Sequence, residues 1–275
     1  MPLLRVEELK GIPCAKQLMD LVKMTRMNEL YDSVTDWEGP ECADRILKGI
    51  GVHYEIGHPE VLEQIASGPF ITVSNHAYGH IDGIAMVDFF GHLRPDYKFL
   101  VNKILARVET LEPNFITVIP TGEERTAAHP DSVKGLMTAF KHVKEGHPLG
   151  LFPSGAVSDL SIRDGFKIRD REWQEAIIKV VKKARVPILP VRFFDRNSLF
   201  YYLLGLINWK IRVVRLPAEM FNKAGKQMRI GLGDIISVEQ QDAIKDLDAF
   251  RSFLRHSVYD MQIPQKFVPR DEIIH

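Results

Sequence analysis

The chain has few cysteines. Cys14 and Cys42 are the only two in 275 residues, too few for a disulfide framework or a thiolate metal site, which suits a reducing compartment. It also lacks net charge: Lys+Arg and Asp+Glu both number 36, so there is no global basic field and no nucleic-acid partner is expected. Long hydrophobic runs are missing too. The longest, Leu199 to Trp209, is about half of the roughly 20 residues a spanning helix needs. Met1 to Glu8 carries acidic residues and no apolar core, so a signal peptide is not expected. There is no internal repeat and no low-complexity segment. At 45% hydrophobic and 26% charged, the composition supports one large α/β domain, or one domain with an added helical piece.

Periodicity organises the chain. Residues 1–55 read as a helical extension, with Leu18, Leu21, Val22, Met24, Met27, Leu30 and Tyr31 at helical spacing beside Lys16, Lys23 and Arg26. A second short helix is expected around Cys42 to Ile50, closed by Gly51. From 56 onward strand and helix patterns alternate. Strands are expected at 70–74, 97–101, 115–119, 149–153, 186–193, 211–214 and 227–232. Helices are expected after Asp82, at 131–145, at 171–185, and from the capping box Ser237-Val238-Glu239-Gln240. Such alternation predicts an α/β fold with a mostly parallel sheet flanked by helices over residues 56–260. The polar tail, residues 261–275, is expected to be loosely held.

The most informative stretch is Phe70-Ile71-Thr72-Val73-Ser74-Asn75-His76-Ala77-Tyr78-Gly79-His80-Ile81-Asp82. A β-branched strand ends in a turn that delivers a histidine and an aspartate to one place. An imidazole with a carboxylate in reach can activate a hydroxyl: the ring takes the proton, and the carboxylate orients the ring and stabilises the imidazolium. His76 and His80 with Asp82 could instead ligate a metal, but only if both histidines shared a helix, which Gly79 opposes. No metal is expected.

Three further features follow in order. Tyr97-Lys98-Phe99-Leu100-Val101-Asn102-Lys103 is a strand delivering a lysine to its carboxyl end. Gly150-Leu151-Phe152-Pro153-Ser154-Gly155-Ala156-Val157-Ser158 breaks an apolar strand where ligands sit in open α/β sheets. Val186-Pro187-Ile188-Leu189-Pro190-Val191 is a buried strand flanked by prolines. With the histidine block, these resemble the glycerolipid acyltransferase family, which includes the lysophosphatidate and glycerol-3-phosphate acyltransferases, over roughly residues 56–235. The resemblance implies that His76 is the general base and Asp82 its orienting partner. It makes Asn75, Lys103, Arg125, Phe152, Pro153, Ser154, Gly155 and Ser158 the expected substrate contacts, and Val186 to Pro190 a pocket wall. It also implies transfer of an acyl chain to a hydroxyl from a thioester donor, coenzyme A or acyl carrier protein, with no further cofactor. On residue type alone, Lys103 could be a solvated strand end and Arg125 a surface residue.

The departures from that family refine the reading. His76 and Asp82 have five residues between them where the family usually has four. Ser154 and Val157 stand where the family carries Glu and Arg, and the Arg-ended block has only Phe115 to Pro120 as its counterpart, with Arg125 the nearest arginine. Losing a guanidinium, the bidentate phosphate reader, argues against a phosphomonoester acceptor. The pattern looks more like the hemolysin-related branch, whose members include O-acyltransferases for amino-acid lipids. An N-acylated amino acid bearing a hydroxyl is therefore the leading acceptor, and a lysophospholipid the second. A lipid hydrolase using His76, His80 and Asp82, and a non-catalytic lipid-binding protein on the same fold, are the rival readings. The expected location is cytoplasmic, peripheral to the inner face of the membrane. Contact would be made through Lys16, Lys23 and Arg26 and through the 199–209 stretch, unless the latter is core.

Overall fold

The computed structural model describes residues 15–119, 129–162 and 165–274. Three helices come first, α1 (Ala15–Leu21), α2 (Met24–Asp32) and α3 (Gly39–Ile50). Strand β1 (His53–Gly57) follows, then β2 (Ile71–Ser74), α4 (His80–Leu93), β3 (Lys98–Asn102), β4 (Phe115–Val118), α5 (Pro130–Lys144) and β5 (Leu149–Leu151). A separate antiparallel ribbon, β6 (Asp159–Ser161) and β7 (Lys167–Arg169), precedes α6 (Glu175–Ala184) and β8 (Ile188–Phe193). Helices α7 (Leu199–Ile207), α8 (Trp209–Val214) and α9 (Leu216–Phe221) lead to β9 (Gln227–Leu232). Helices α10 (Val238–Ala243) and α11 (Leu247–Tyr259), strand β10 (Phe267–Pro269) and α12 (Arg270–Ile273) complete the described chain.

Eight strands form one sheet in the order β10-β1-β9-β8-β2-β5-β3-β4. Only the β1–β10 and β8–β9 pairs are antiparallel. Period-2 alternation sorts the strand side chains between two cores. Phe99, Val101, Leu189 and Val191 join α2, α3, α4 and α9 on one face. Ile71, Val73, Leu100 and Ile188 join α5, α6 and α11 on the other. Burial on both faces is what a parallel sheet requires, and the expected α/β class is the observed one.

Four expectations need correction. The 211–214 segment is helix α8, not a strand. Its β-branched residues suggest a strand, but Asn208 Oδ1 caps the helix by accepting from Lys210 N at 2.8 Å. Its Arg212 is buried against Asp159 Oδ1 at 2.8 Å, so tertiary contacts override local propensity. Residues 53–57 form a sheet strand, β1, which begins inside the 1–55 segment read as helical. The helix opening at Ser237 is two helices, the second capped by Asp246 Oδ1 on Ala249 N at 2.7 Å. The tail is not loose: β10 pairs with β1, and Arg270 Nη2 reaches Asp88 Oδ1 of α4 at 2.6 Å.

Asp88 is 1% exposed, and it also accepts from Tyr54 Oη at 2.5 Å. Removing the guanidinium would leave a buried carboxylate without its nearest cation among the described residues. Arg270→Ala is therefore expected to destabilise the fold by about 3–5 kcal/mol. Chemical denaturation against Arg270→Lys checks this; a loss under about 1 kcal/mol would show the tail to be dispensable.

Candidate active site

The parallel strands β2, β5, β3 and β8 all end at one edge, where the carboxyl ends of open α/β sheets form ligand crevices. β2 ends at Ser74, and the chain turns through Asn75 to Gly79 into α4. Asn75 fastens this turn to β8. Its Nδ2 donates to Phe193 O at 3.0 Å, and its Oδ1 accepts from Phe193 N at 2.8 Å. Buried and fully engaged with Phe193, Asn75 is a clamp on the turn rather than an open donor toward substrate.

His76 and Asp82 meet. His76 Nδ1 lies 2.8 Å from Asp82 Oδ2, and the carboxylate is fully buried. It sits in the first turn of α4, where it also accepts from Tyr78 N at 2.9 Å and Gly79 N at 3.1 Å. A carboxylate there satisfies orphan amides and favours the positive end of the helix dipole. The extra residue between His76 and Asp82 is absorbed at Gly79, whose φ of 100° and ψ of −115° suit only glycine. A Cβ there would also lie 2.9 Å from Leu216 Cδ2.

The imidazole is fixed from a second side. Its ring stacks on Phe152 with centroids 4.0 Å apart and planes 13° from parallel. The imidazole is 17% exposed, and its Nε2 has no hydrogen-bond partner among the described residues. Tethered at Nδ1 and open at Nε2, it has the arrangement of a general base.

The Phe152 to Ser158 block packs around this ring. Pro153 is buried, and its carbonyl accepts from Gln174 N at 2.9 Å. Ser154 is buried, and its Oγ donates to Ala156 O at 2.8 Å, closing the turn on itself. Gly155, at φ 64°, is exposed, and a Cβ there would strike Gln174. Ser158 N donates to His76 O at 2.8 Å, and its Oγ donates to Asp170 Oδ1 at 2.6 Å. Lys103 is exposed and paired with Asp131 at 2.7 Å. Arg125 lies outside the described residues. Val186 to Pro190 helps to build the inside of the sheet and lines neither of the two cavities described below.

One residue escaped sequence reasoning. Asp170, fully buried, accepts from His76 N at 3.1 Å, from Ser158 Oγ, and from Trp173 Nε1 at 3.4 Å. It ties the histidine turn to the Phe152 to Ser158 block. Burial raises its pKa, opposed chiefly by the Ser158 hydrogen bond. In sequence it sits in the charged run Arg169-Asp170-Arg171-Glu172, which reads as a solvated segment and marks no known motif.

Two cavities flank the start of α4. An apolar one of about 90 Å³ is walled by Leu30, Ile84, Val101, Leu105, Leu111 and Met220, with His80 at its side. The other, of about 400 Å³, is polar and opens beside Tyr78. His80 is half-buried, its Nδ1 is enclosed with no partner among the described residues, and desolvation lowers its pKa from 6.5 to about 4, the nearby His76 adding to the effect. A depressed histidine pKa means the unfolded chain binds the proton more readily. The stability it allows is complete above about pH 6.5 and is lost as pH falls toward 4, by about 2–3 kcal/mol at about pH 4.5. His80→Leu should flatten the acid limb of a stability–pH curve; an unchanged limb would remove His80 as its cause.

Comparison with known proteins accords with this geometry. The chain is 26% identical over 264 residues to a lyso-glycine lipid O-acyltransferase of Bacteroides thetaiotaomicron, covering 93% of each chain. It is 25% identical over 251 residues to one of the same name from Phocaeicola vulgatus, covering 89% of this chain and 86% of that protein. The fold is similar to the crystal structure of the 1-acyl-sn-glycerophosphate (LPA) acyltransferase PlsC from Thermotoga maritima. The TM-score is 0.51 at 14% identity, over 93% of this chain and 83% of that one. The acyltransferase family model matches residues 17–264, reaching well past the 56–235 span of the sequence resemblance into the N-terminal helices and α11. By that match, the chain belongs to the acyltransferase family.

Proposed function

We propose that this protein is an O-acyltransferase of lipid biosynthesis that moves a fatty acyl chain from a thioester to a hydroxyl of an amino-acid lipid. The observation that carries the reading is the His76–Asp82 pair with Nε2 left open. Nε2 takes the acceptor's hydroxyl proton as the oxygen attacks the thioester carbonyl, and the imidazolium then returns that proton to the departing thiolate. One ester forms, one thioester breaks, and a free thiol leaves. Asp82 stabilises the imidazolium throughout. Coenzyme A or acyl carrier protein carries the donor chain, and the apolar cavity beside His80 accepts part of its hydrocarbon. The relatives named for lyso-glycine lipid, and the Ser154 and Val157 replacements, both favour an amino-acid acceptor over a phosphomonoester.

The test is acyl transfer from palmitoyl-coenzyme A and palmitoyl-acyl carrier protein to N-(3-hydroxypalmitoyl)glycine, with lysophosphatidate as rival acceptor. Faster transfer to the glycine lipid supports the reading. Release of free palmitate without ester would favour a hydrolase, and preference for lysophosphatidate would overturn the acceptor class.

We propose that the enzyme meets a membrane surface, where lipid substrates reside, from the cytoplasmic side. Among the described residues no helix is long and apolar enough to cross a bilayer. Of the 199–209 stretch, Tyr201 and Tyr202 are core, but Phe200, Ile207 and Trp209 are more than half exposed, as is Leu199. With Ile211, Val213 and Val214 of α8 they form an apolar face edged by exposed Lys210. On α1, Leu18 and Leu21 are exposed beside Lys16. Such faces suit the interfacial zone. Flotation with anionic liposomes should carry the protein upward, and Phe200→Ser with Ile207→Ser should reduce the floated fraction severalfold. Equal flotation of the double variant would discard this surface.

A further inference from the structure

The polar cavity has no role in the reading above. Its lining includes Tyr78, Asp195, Arg196, Lys223, Lys226 and Met228. Three of the four charged residues among these are cations, and the single carboxylate, Asp195, is already bound to Arg229 Nη2 at 2.6 Å. Arg196 and Lys226 are exposed and have no carboxylate partner among the described residues. The cavity therefore presents uncompensated positive charge.

Lys223 is the telling residue. It is 7% exposed, yet its Nζ comes no nearer than 3.6 Å to Glu219 Oε2, beyond good hydrogen-bond distance. Glu219 is otherwise occupied: Ser198 N donates to it at 2.9 Å and Ser198 Oγ at 2.7 Å, and Arg215 lies 3.6 Å away. Burial pulls the Lys223 ammonium pKa down, and the Glu219 charge only partly offsets this. A buried ammonium with unfilled donors is costly unless something else fills them. The groove it lines supplies the space.

The cavity shares a wall with the dyad. Tyr78 donates its amide to Asp82 at 2.9 Å while its ring lines the cavity, and Lys223 Nζ sits 5.3 Å from that ring's centroid. Asn197 Nδ2 holds the Tyr78 carbonyl at 3.0 Å, fixing the partition. An anion on Lys223 thus lies one side chain away from the turn that carries the base.

Taking the proposed acyl transfer as its basis, we infer that this cavity is the headgroup subsite of the acceptor and that Lys223 binds its carboxylate, with Arg196 and Lys226 at the rim. A monoanion matches one buried ammonium. A dianionic phosphate would have only the exposed rim cations, Arg196 and Lys226, to meet its second charge. An N-acyl amino acid with a hydroxyl on its acyl chain separates carboxylate and hydroxyl by only a few bonds, as a subsite next to the dyad demands.

The test reads binding apart from turnover. Equilibrium dialysis with radiolabelled N-(3-hydroxypalmitoyl)glycine and its methyl ester requires no chemistry, so it stands even if transfer to this acceptor is not observed. The wild type should bind the acid about 10-fold or more tighter than the ester. Lys223→Met should abolish that preference while leaving ester binding within about 2-fold, and the unchanged ester arm reports an intact fold. Arg196→Ala, at an exposed position, should lower acid binding severalfold and ester binding little. Equal loss for acid and ester, an unaltered preference in Lys223→Met, or stronger competition by lysophosphatidate or free phosphate than by the glycine lipid would each overturn the assignment.

Discussion

His76→Ala lowers acyl transfer by about 10²–10⁴-fold, the range for losing a general base, with the fold intact. The ring lies at the sheet edge and is partly solvent-exposed; what holds the turn is main chain and neighbours. His76 N stays on Asp170, Ser158 N stays on His76 O, and Asn75 stays clamped to Phe193. The alanine leaves a gap over Phe152, where the imidazole stacked, and removes a donor from Asp82, which keeps the amides of Tyr78 and Gly79. Circular dichroism and melting should therefore stay close to wild type while kcat collapses. Near-normal transfer by a well-folded His76→Ala protein would end the general-base mechanism.

Asp82→Asn gives the second large effect, and the structure specifies its route. The Oδ2 position is ringed by three donors, His76 Nδ1, Tyr78 N and Gly79 N. Only an oxygen can sit there without a clash of protons. The new amide nitrogen must take the Oδ1 position, where it meets one donor instead of three and forfeits the 3.1 Å hydrogen bond from Tyr78 N. The imidazole thus keeps its Nδ1–H tautomer and its Nε2 lone pair, but loses the negative charge that stabilises the imidazolium. The expected result is a fall in kcat of about 10²-fold or more with KM little changed. Asp82→Ala should fall further and melt earlier, since two helix-start amides lose their acceptor. Near-normal kcat in the Asn variant would show that the Asp82 charge is not what matters.

The dyad was legible because its signal is local: strand, turn and helix bring residues six apart within hydrogen-bond reach, and Gly79 announces the turn. The central strands were legible because buried parallel strands are continuous apolar runs. The rest of the site depends on distant pairings. Asp170 is 94 residues from His76, and nothing in its neighbours shows that its carboxylate turns inward. Asn75 looks like a substrate contact until Phe193, 118 residues on, takes both ends of its amide. Ser158 is likewise engaged, by Asp170 and by the His76 carbonyl. The β1 strand was missed because its short run, His53-Tyr54-Glu55-Ile56-Gly57, is only half apolar and owes its place to partners at 227–231 and 267–269. Helix α8 was misread because β-branched residues outweigh a lone Asn cap until Arg212 meets Asp159.

The sheet order also divides the molecule in time. Strands β2, β3, β4 and β5 lie within one continuous span of chain, whereas β1 finds its partners about 170 residues and more away. Long-range pairing is slow and its loops costly to close, so the β1–β9–β10 edge is expected to assemble last and to open first under mild stress. The histidine turn sits on the early half, while Val52, Gln227 and Met228 of the polar cavity sit on the late half. Partial unfolding would erase recognition before chemistry: amide exchange should be fastest in β1 and β10, and a partly opened enzyme would keep its base while losing its grip on the acceptor.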